Sequence, residues 1–195
     1  MAITKTTIVN KALTKVGAQP VVSIDDDTEQ ARAISRVYEL ALRSILSECK
    51  WNFATRRKLL SSSATEFEWY ENSEKYVYSK PADCIRVIST NDKYATWREE
   101  GDYILSDTAN LGIRYVTYLD DPAKYSHAFI DAFIDKLCSD IAYSIVNSSS
   151  LGDTFFEKYE KLSLPKAMAI NGQIGKQIEI VDDEWENAKY NSNLG

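Results

Sequence analysis

A chain of 195 residues fits one domain, or one domain with an insertion and a tail. With 44% hydrophobic and 27% charged residues it has the composition of a folded globular protein, which excludes wholesale disorder and any need for a disulfide or metal staple. The net charge of −6 and the lack of a basic stripe argue against a binder that grips phosphate backbones.

The first helix is predicted over residues 5–16, where Ile8, Ala12 and Val16 repeat at helical spacing and Val9 and Leu13 widen the stripe. Gly17 is placed to close it and Pro20 prevents its continuation. Asp25, Asp26 and Asp27 read as N-terminal caps of a second helix. Its inner face is traced by Ala31, Ile34, Tyr38, Ala41, Ile45 and Leu46, and it ends near Cys49. From Trp51 to Leu119 the pattern changes to short Tyr-, Val-, Ile- and Thr-rich runs between turn formers. Strands are expected at 52–60, 66–70, 75–79, 84–90, 94–98, 102–106 and 112–118. Links this short imply antiparallel pairing.

Helical patterning returns at about Ala123, with Phe129, Ala132, Phe133, Leu137, Ile141, Ile145 and Val146 on one stripe. The run Ser148, Ser149, Ser150 reads as a break, and Gly152 with Asp153 as the opening of a fourth helix, kinked or restarted at Pro165 and extending to about Asn171. Blocks of helices and strands, rather than alternation, make this an α+β fold. The expected architecture is a four-helix core from residues 1–50 and 120–171, an inserted antiparallel β-rich section at 51–119, and an extended polar C-terminal tail at 172–195.

Residue types that carry chemistry are sparse. His127 is the only histidine, and Cys49, Cys84 and Cys138 are dispersed, so neither a Ser–His pair nor a metal site can be assembled by spacing. The three thiols read as small buried hydrophobes of a reducing compartment, and no secretory leader or membrane span stands out. The seven glycines include no phosphate-cradling motif. No cofactor is expected. Carboxylate pairs remain an open catalytic option: residues 25–27, Glu66 with Glu68, Glu99 with Glu100, and residues 182–184. They read more simply as caps, hairpin rims and solvated faces. Trp51, Phe53, Arg56, Arg57 and Lys58 interleave aromatic and basic character, as a single-strand nucleic-acid platform would. The simpler reading is a strand burying one face beneath the preceding helix. In the tail, Ile178, Ile180 and Val181 alternate like a strand and are followed by Trp185 and Tyr190 among acids. Strand addition to another chain, docking within the chain and disorder are all compatible with that pattern.

Several stretches, taken in order, carry a resemblance. Asn10, Ala12, Leu13 and Gly17 form an Asn-x-Ala-Leu helix ending in glycine, followed by Ser23-Ile24-Asp25. Tyr38 and Arg43 precede Trp51, Phe53, Ala54 and Arg56, and a later strand leads into Lys80-Pro81-Ala82-Asp83-Cys84-Ile85-Arg86-Val87. In these features the chain resembles the tail tubular protein A, or head-to-tail adaptor (connector), family of short-tailed double-stranded DNA bacteriophages. It departs from that pattern at Lys80 and Ile85, where leucine is usual. The resemblance covers about residues 1–171.

It implies a virion structural protein made in the host cytoplasm. Identical copies, usually twelve, would form a ring at the head-tail junction. That ring would bind the portal protein, extend the DNA channel without sequence-specific contact, and carry a downstream tail or nozzle protein. It implies no enzyme and no membrane. The motif residues Asn10, Gly17, Tyr38, Arg43, Trp51, Phe53, Arg56, Pro81, Asp83 and Arg86 are then structural, and Ile178, Ile180, Val181, Trp185 and Tyr190 a docking tail. The rivals are a tail-associated cell-wall hydrolase with a carboxylate pair and a small nucleic-acid-binding module.

Overall fold

The computed structural model describes residues 3–71 and 74–174. Helix α1 (Lys5–Lys15) is opened by Thr4, whose hydroxyl accepts from the Thr7 N–H at 3.1 Å, and it buries Ile8, Val9, Ala12 and Leu13. At its end the Gly17 N–H donates to Thr14 O and the Ala18 N–H to Leu13 O. This closure needs a left-handed residue, and Gly17 supplies it at φ +84°.

Helix α2 (Glu29–Glu48) is capped by Thr28, whose hydroxyl accepts from the Ala31 N–H, and not by the aspartates before it. Those are used one turn earlier. Asp26 accepts from the Val22 and Ser23 N–H groups, and Asp27 pairs with Arg32.

The strands are β1 (Thr55–Leu59), β2 (Tyr76–Ser79), β3 (Cys84–Thr90), β4 (Trp97–Glu100), β5 (Tyr103–Ser106) and β6 (Gly112–Thr117). They form two three-stranded antiparallel sheets, ordered β1-β6-β3 and β2-β5-β4. Three expectations fail locally. The strand expected from residue 52 starts at Thr55, because Asn52–Ala54 is a turn of 3-10 helix. Residues 66–70 form no strand; Phe67 packs edge-on against Tyr70 and Tyr103, and its N–H donates to the Tyr70 hydroxyl instead of a ladder. The strand expected at 94–98 is displaced to Trp97–Glu100, since the Asp92 side chain holds the Tyr94 N–H in a turn.

Helix α3 (His127–Val146) begins later than its pattern indicates. Pro122–Lys124 is a separate 3-10 turn, and Ser126 caps the helix by accepting from the Phe129 N–H. It stops at Asn147, φ +52°, and Ser148 at once caps α4 (Ser149–Lys158). The serine run is therefore both break and start, and Gly152 lies inside α4. A Cβ on Gly152 would meet Ser139 O at 3.2 Å, so glycine permits a close approach to α3. Helical backbone continues through a π-helical stretch (Tyr159–Ser163) into α5 (Leu164–Gln173). The Leu164 N–H donates to Tyr159 O, five residues back. The widened turn precedes Pro165, which sits in the first turn of α5, where a missing N–H is tolerated.

The fold is α+β, with a four-helix core and an inserted antiparallel β-rich section. Helix α3 is central and touches α1, α2, α4 and α5. The insertion shares this core through Trp51, Ala54 and Val116, with Ile85 and Ile88 packed against it. A second apolar cluster joins the two sheets through Tyr78, Val87, Ile104, Ile113 and Tyr115. The first sheet is thus a middle layer. Among the described residues no helix is long and apolar enough to cross a membrane.

Candidate functional site

The residues singled out in the sequence occupy joints between elements. Asn10 in α1 holds the following link by a two-way clamp: its Nδ2 donates to Val21 O, and the Val21 N–H donates to its Oδ1, both at 2.8 Å. Tyr38 is buried in α2, meets Phe133 edge-on with ring centroids 5.2 Å apart, and points its hydroxyl at Asp120 Oδ1, 3.5 Å away. Burial, reinforced by the Asp120 charge, pushes the Tyr38 phenol well above its ordinary value. Lys5 pairs with the same aspartate from α1. One helical turn beyond Tyr38, Arg43 lays its guanidinium 4.3 Å from the Tyr118 ring centroid and donates to Glu39 Oε1.

Trp51 is fully buried. Its indole N–H donates to Ile45 O at 2.8 Å, and its ring meets Phe129 edge-on. Phe53 joins the same cluster against Tyr125 and Phe129.

A second group gathers on the first sheet. Pro81 is buried in the turn that the Cys84 N–H closes onto Pro81 O. The turn presents Asp83 to Thr117 Oγ1 at 2.7 Å, the Tyr115 hydroxyl at 3.2 Å and Arg56 Nη1 at 3.2 Å. Desolvation pushes the Asp83 carboxyl up, but these hydrogen bonds and the Arg56 charge together hold it below the usual carboxylate range. Arg86 is exposed on β3. Lys80, where the resembled pattern usually has leucine, is half-buried and pairs with Glu99. The predicted docking residues Ile178, Ile180, Val181, Trp185 and Tyr190 lie outside the described residues.

Two joints carry no recognisable sequence signal. Asp135, buried in α3, accepts from Lys15 of α1 at 2.7 Å and from Ser163 at 2.5 Å, and pairs with Lys158 of α4 at 3.1 Å. In sequence it is one of three aspartates in α3, with Asp131 and Asp140, and only its place among the apolar residues hints at burial. Asn171 near the end of α5 holds Lys50 and Asn52 through its amide.

Asp25, Asp26 and Asp27 line one open pocket beside Arg32 and Arg36, and Glu68, Glu74 and Glu100 line another beside Arg98. Asp26, Asp27, Glu99 and Glu100 are engaged with backbone N–H groups or basic side chains, and Glu66 and Glu68 are exposed. The carboxylates at 182–184 lie outside the described residues. His127 is exposed at the start of α3. Burial pushes the Cys84 thiol up to about 11 and the Cys138 thiol up to about 12, which keeps both protonated and poorly nucleophilic. Among the described residues no group of His, Cys, Asp or Glu is arranged to hold a metal ion.

What the outer surface offers is apolar. Leu40 on α2 is 70% exposed and Tyr143 on α3 is 68% exposed, while Phe156, Leu162 and Ile174 are exposed along the last helices. Neither the known family models nor the curated proteins give a match to this chain.

Proposed function

We propose that the protein is a structural head-to-tail adaptor of a phage virion, a ring of identical subunits beneath the portal that extends the DNA channel and carries the next tail component. One observation carries this reading. The residues of the ordered motif series are structural: Asn10, Tyr38, Trp51 and Asp83 each tie one segment to another, and Gly17 closes α1. Such residues keep a framework in shape; they do not form a reaction site. The exposed apolar side chains on α2, α3 and the last helices supply area for helix-to-helix contact between subunits. A net charge of −6 suits a channel along which DNA slides without adhering.

The test is the mass of the full-length chain in solution, alone and mixed with purified portal rings. A portal-dependent ring with one copy per portal subunit is expected. A chain that stays monomeric in the presence of portal overturns the reading. Removing residues 175–195 is expected to weaken assembly onto the portal while the chain still unfolds cooperatively, and equal assembly without them removes the tail's docking role.

A further inference from the structure

One end of the first sheet carries positive charge that no carboxylate among the described residues neutralises. Arg57 on β1 and Arg114 on β6 are register partners, and Ser89 on β3 is the partner of Arg114 on its other side. Residues directly opposite in an antiparallel pair project to the same face with Cβ atoms about 5 Å apart, and like charges so placed repel. By the alternation of side chains, this is the face that Val116, two residues along β6, turns to the helical core. At Arg114 the helical cover has ended. A trough of about 570 Å³ opens there, lined also by Lys58, Thr90 and Asn91 and by no carboxylate.

Arg57, Lys58 and Arg114 form no ion pair among the described residues. The Arg114 Nε is buried without a hydrogen-bond partner. Arg98 on β4 differs at its terminal nitrogens, which Glu71, Glu74 and Glu100 surround, although its Nε too is buried without a partner. What sets Arg57 and Arg114 apart is that they stand face to face with no carboxylate paired to either among the described residues.

We infer that this trough is a binding site for a phosphate-class oxyanion, held between the Arg57 and Arg114 guanidinium groups with the Ser89 hydroxyl as a further donor. A guanidinium fork donates two parallel hydrogen bonds to such a group, and a doubly charged oxyanion cancels the repulsion between the two arginines. Phosphate is the shared chemistry of two sources, a small phosphorylated compound and the phosphodiester backbone of a nucleic acid. The site does not depend on the ring assembly.

The test is thermal unfolding of the full-length chain against inorganic phosphate at constant ionic strength, with labelled DNA oligonucleotides measured in parallel by fluorescence anisotropy. The wild type is expected to gain stability saturably with phosphate. Arg57→Gln and Arg114→Gln should each unfold no lower than the wild type without phosphate, because the repulsion is relieved. Each should bind phosphate about tenfold or more weakly, the loss of one charge-assisted bond pair. Lys75→Gln, an exposed change away from the trough, should leave the phosphate response as it is. Oligonucleotide binding with the same arginine dependence identifies the phosphodiester source; phosphate binding without it identifies a small compound. A wild type indifferent to phosphate, or variants that respond to phosphate as strongly as the wild type, overturns the site.

Discussion

The Asn52 N–H donates to Asn171 Oδ1 at 2.9 Å, and Asn52 Nδ2 donates to the Asn171 backbone carbonyl at 2.8 Å, so one residue grips another far away in sequence by two hydrogen bonds at the seam between α5 and β1. Asn171 Nδ2 also donates to Lys50 O at 2.9 Å. The end of the last helix is thereby tied to the point where α2 gives way to the sheet. This polar clasp adds to the apolar core that the β section already shares with the helices.

Asn171→Ala is expected to destabilise the chain by about 2–3 kcal/mol, because it leaves the Asn52 N–H and the Lys50 carbonyl unpaired in a partly buried seam. For a domain of this size that corresponds to a fall in Tm of roughly 5–10 °C. Calorimetry on the two proteins measures it, and a change under about 1 °C would mean that water replaces the amide without loss.

Two glycines should respond to the same substitution with opposite sign. Gly17 sits at φ +84° and Gly172 lies within α5, and an added Cβ meets nothing within 4 Å at either. Only backbone preference is left to act. Gly17→Ala should destabilise by about 1–2 kcal/mol, since an L side chain disfavours the left-handed conformation. Gly172→Ala should stabilise by about 0.5–1 kcal/mol, since alanine is the better helix former. Urea unfolding of both variants checks the pair, and matching signs would refute the backbone account.

How far the sequence discloses this structure follows the range of the interaction. The stripe Ala31, Ile34, Tyr38, Ala41 and Ile45 is local, and all five are buried where the periodicity puts them. Gly17 is equally legible, because closing a helix is a matter of four or five neighbouring residues. Three adjacent aspartates before α2 hide the cap, Thr28, because any of them has the right chemistry. Sheet register is further out of reach. β1 pairs with β6, with four strands lying between them in sequence, so nothing near Arg57 announces Arg114. Asp135 and Asn171 look like ordinary helix polar residues, since their partners Lys15, Asn52 and Lys50 are more than a hundred positions away.

Asp135 gives the sharpest test of such a long-range joint. Desolvation raises its carboxyl, but Lys15, Ser163 and Lys158 outweigh it and hold the group below the usual carboxylate range. The folded state therefore binds this proton less readily than the unfolded chain. The contribution to stability is complete above the unfolded value, about 4, and is lost as the pH falls through the lower folded value. Asp135→Asn is expected to destabilise by about 2–4 kcal/mol at neutral pH, because it removes the buried partner of two lysines that are themselves only partly hydrated. Below about pH 4 the wild type should lose stability faster than the variant, so the two curves converge. Asp83, whose carboxyl is also held low, titrates in both proteins and cancels in the difference. Urea unfolding at a series of pH values measures the gap, and a gap of constant size across the acid range would show that the aspartate stabilises the core by shape and not by charge.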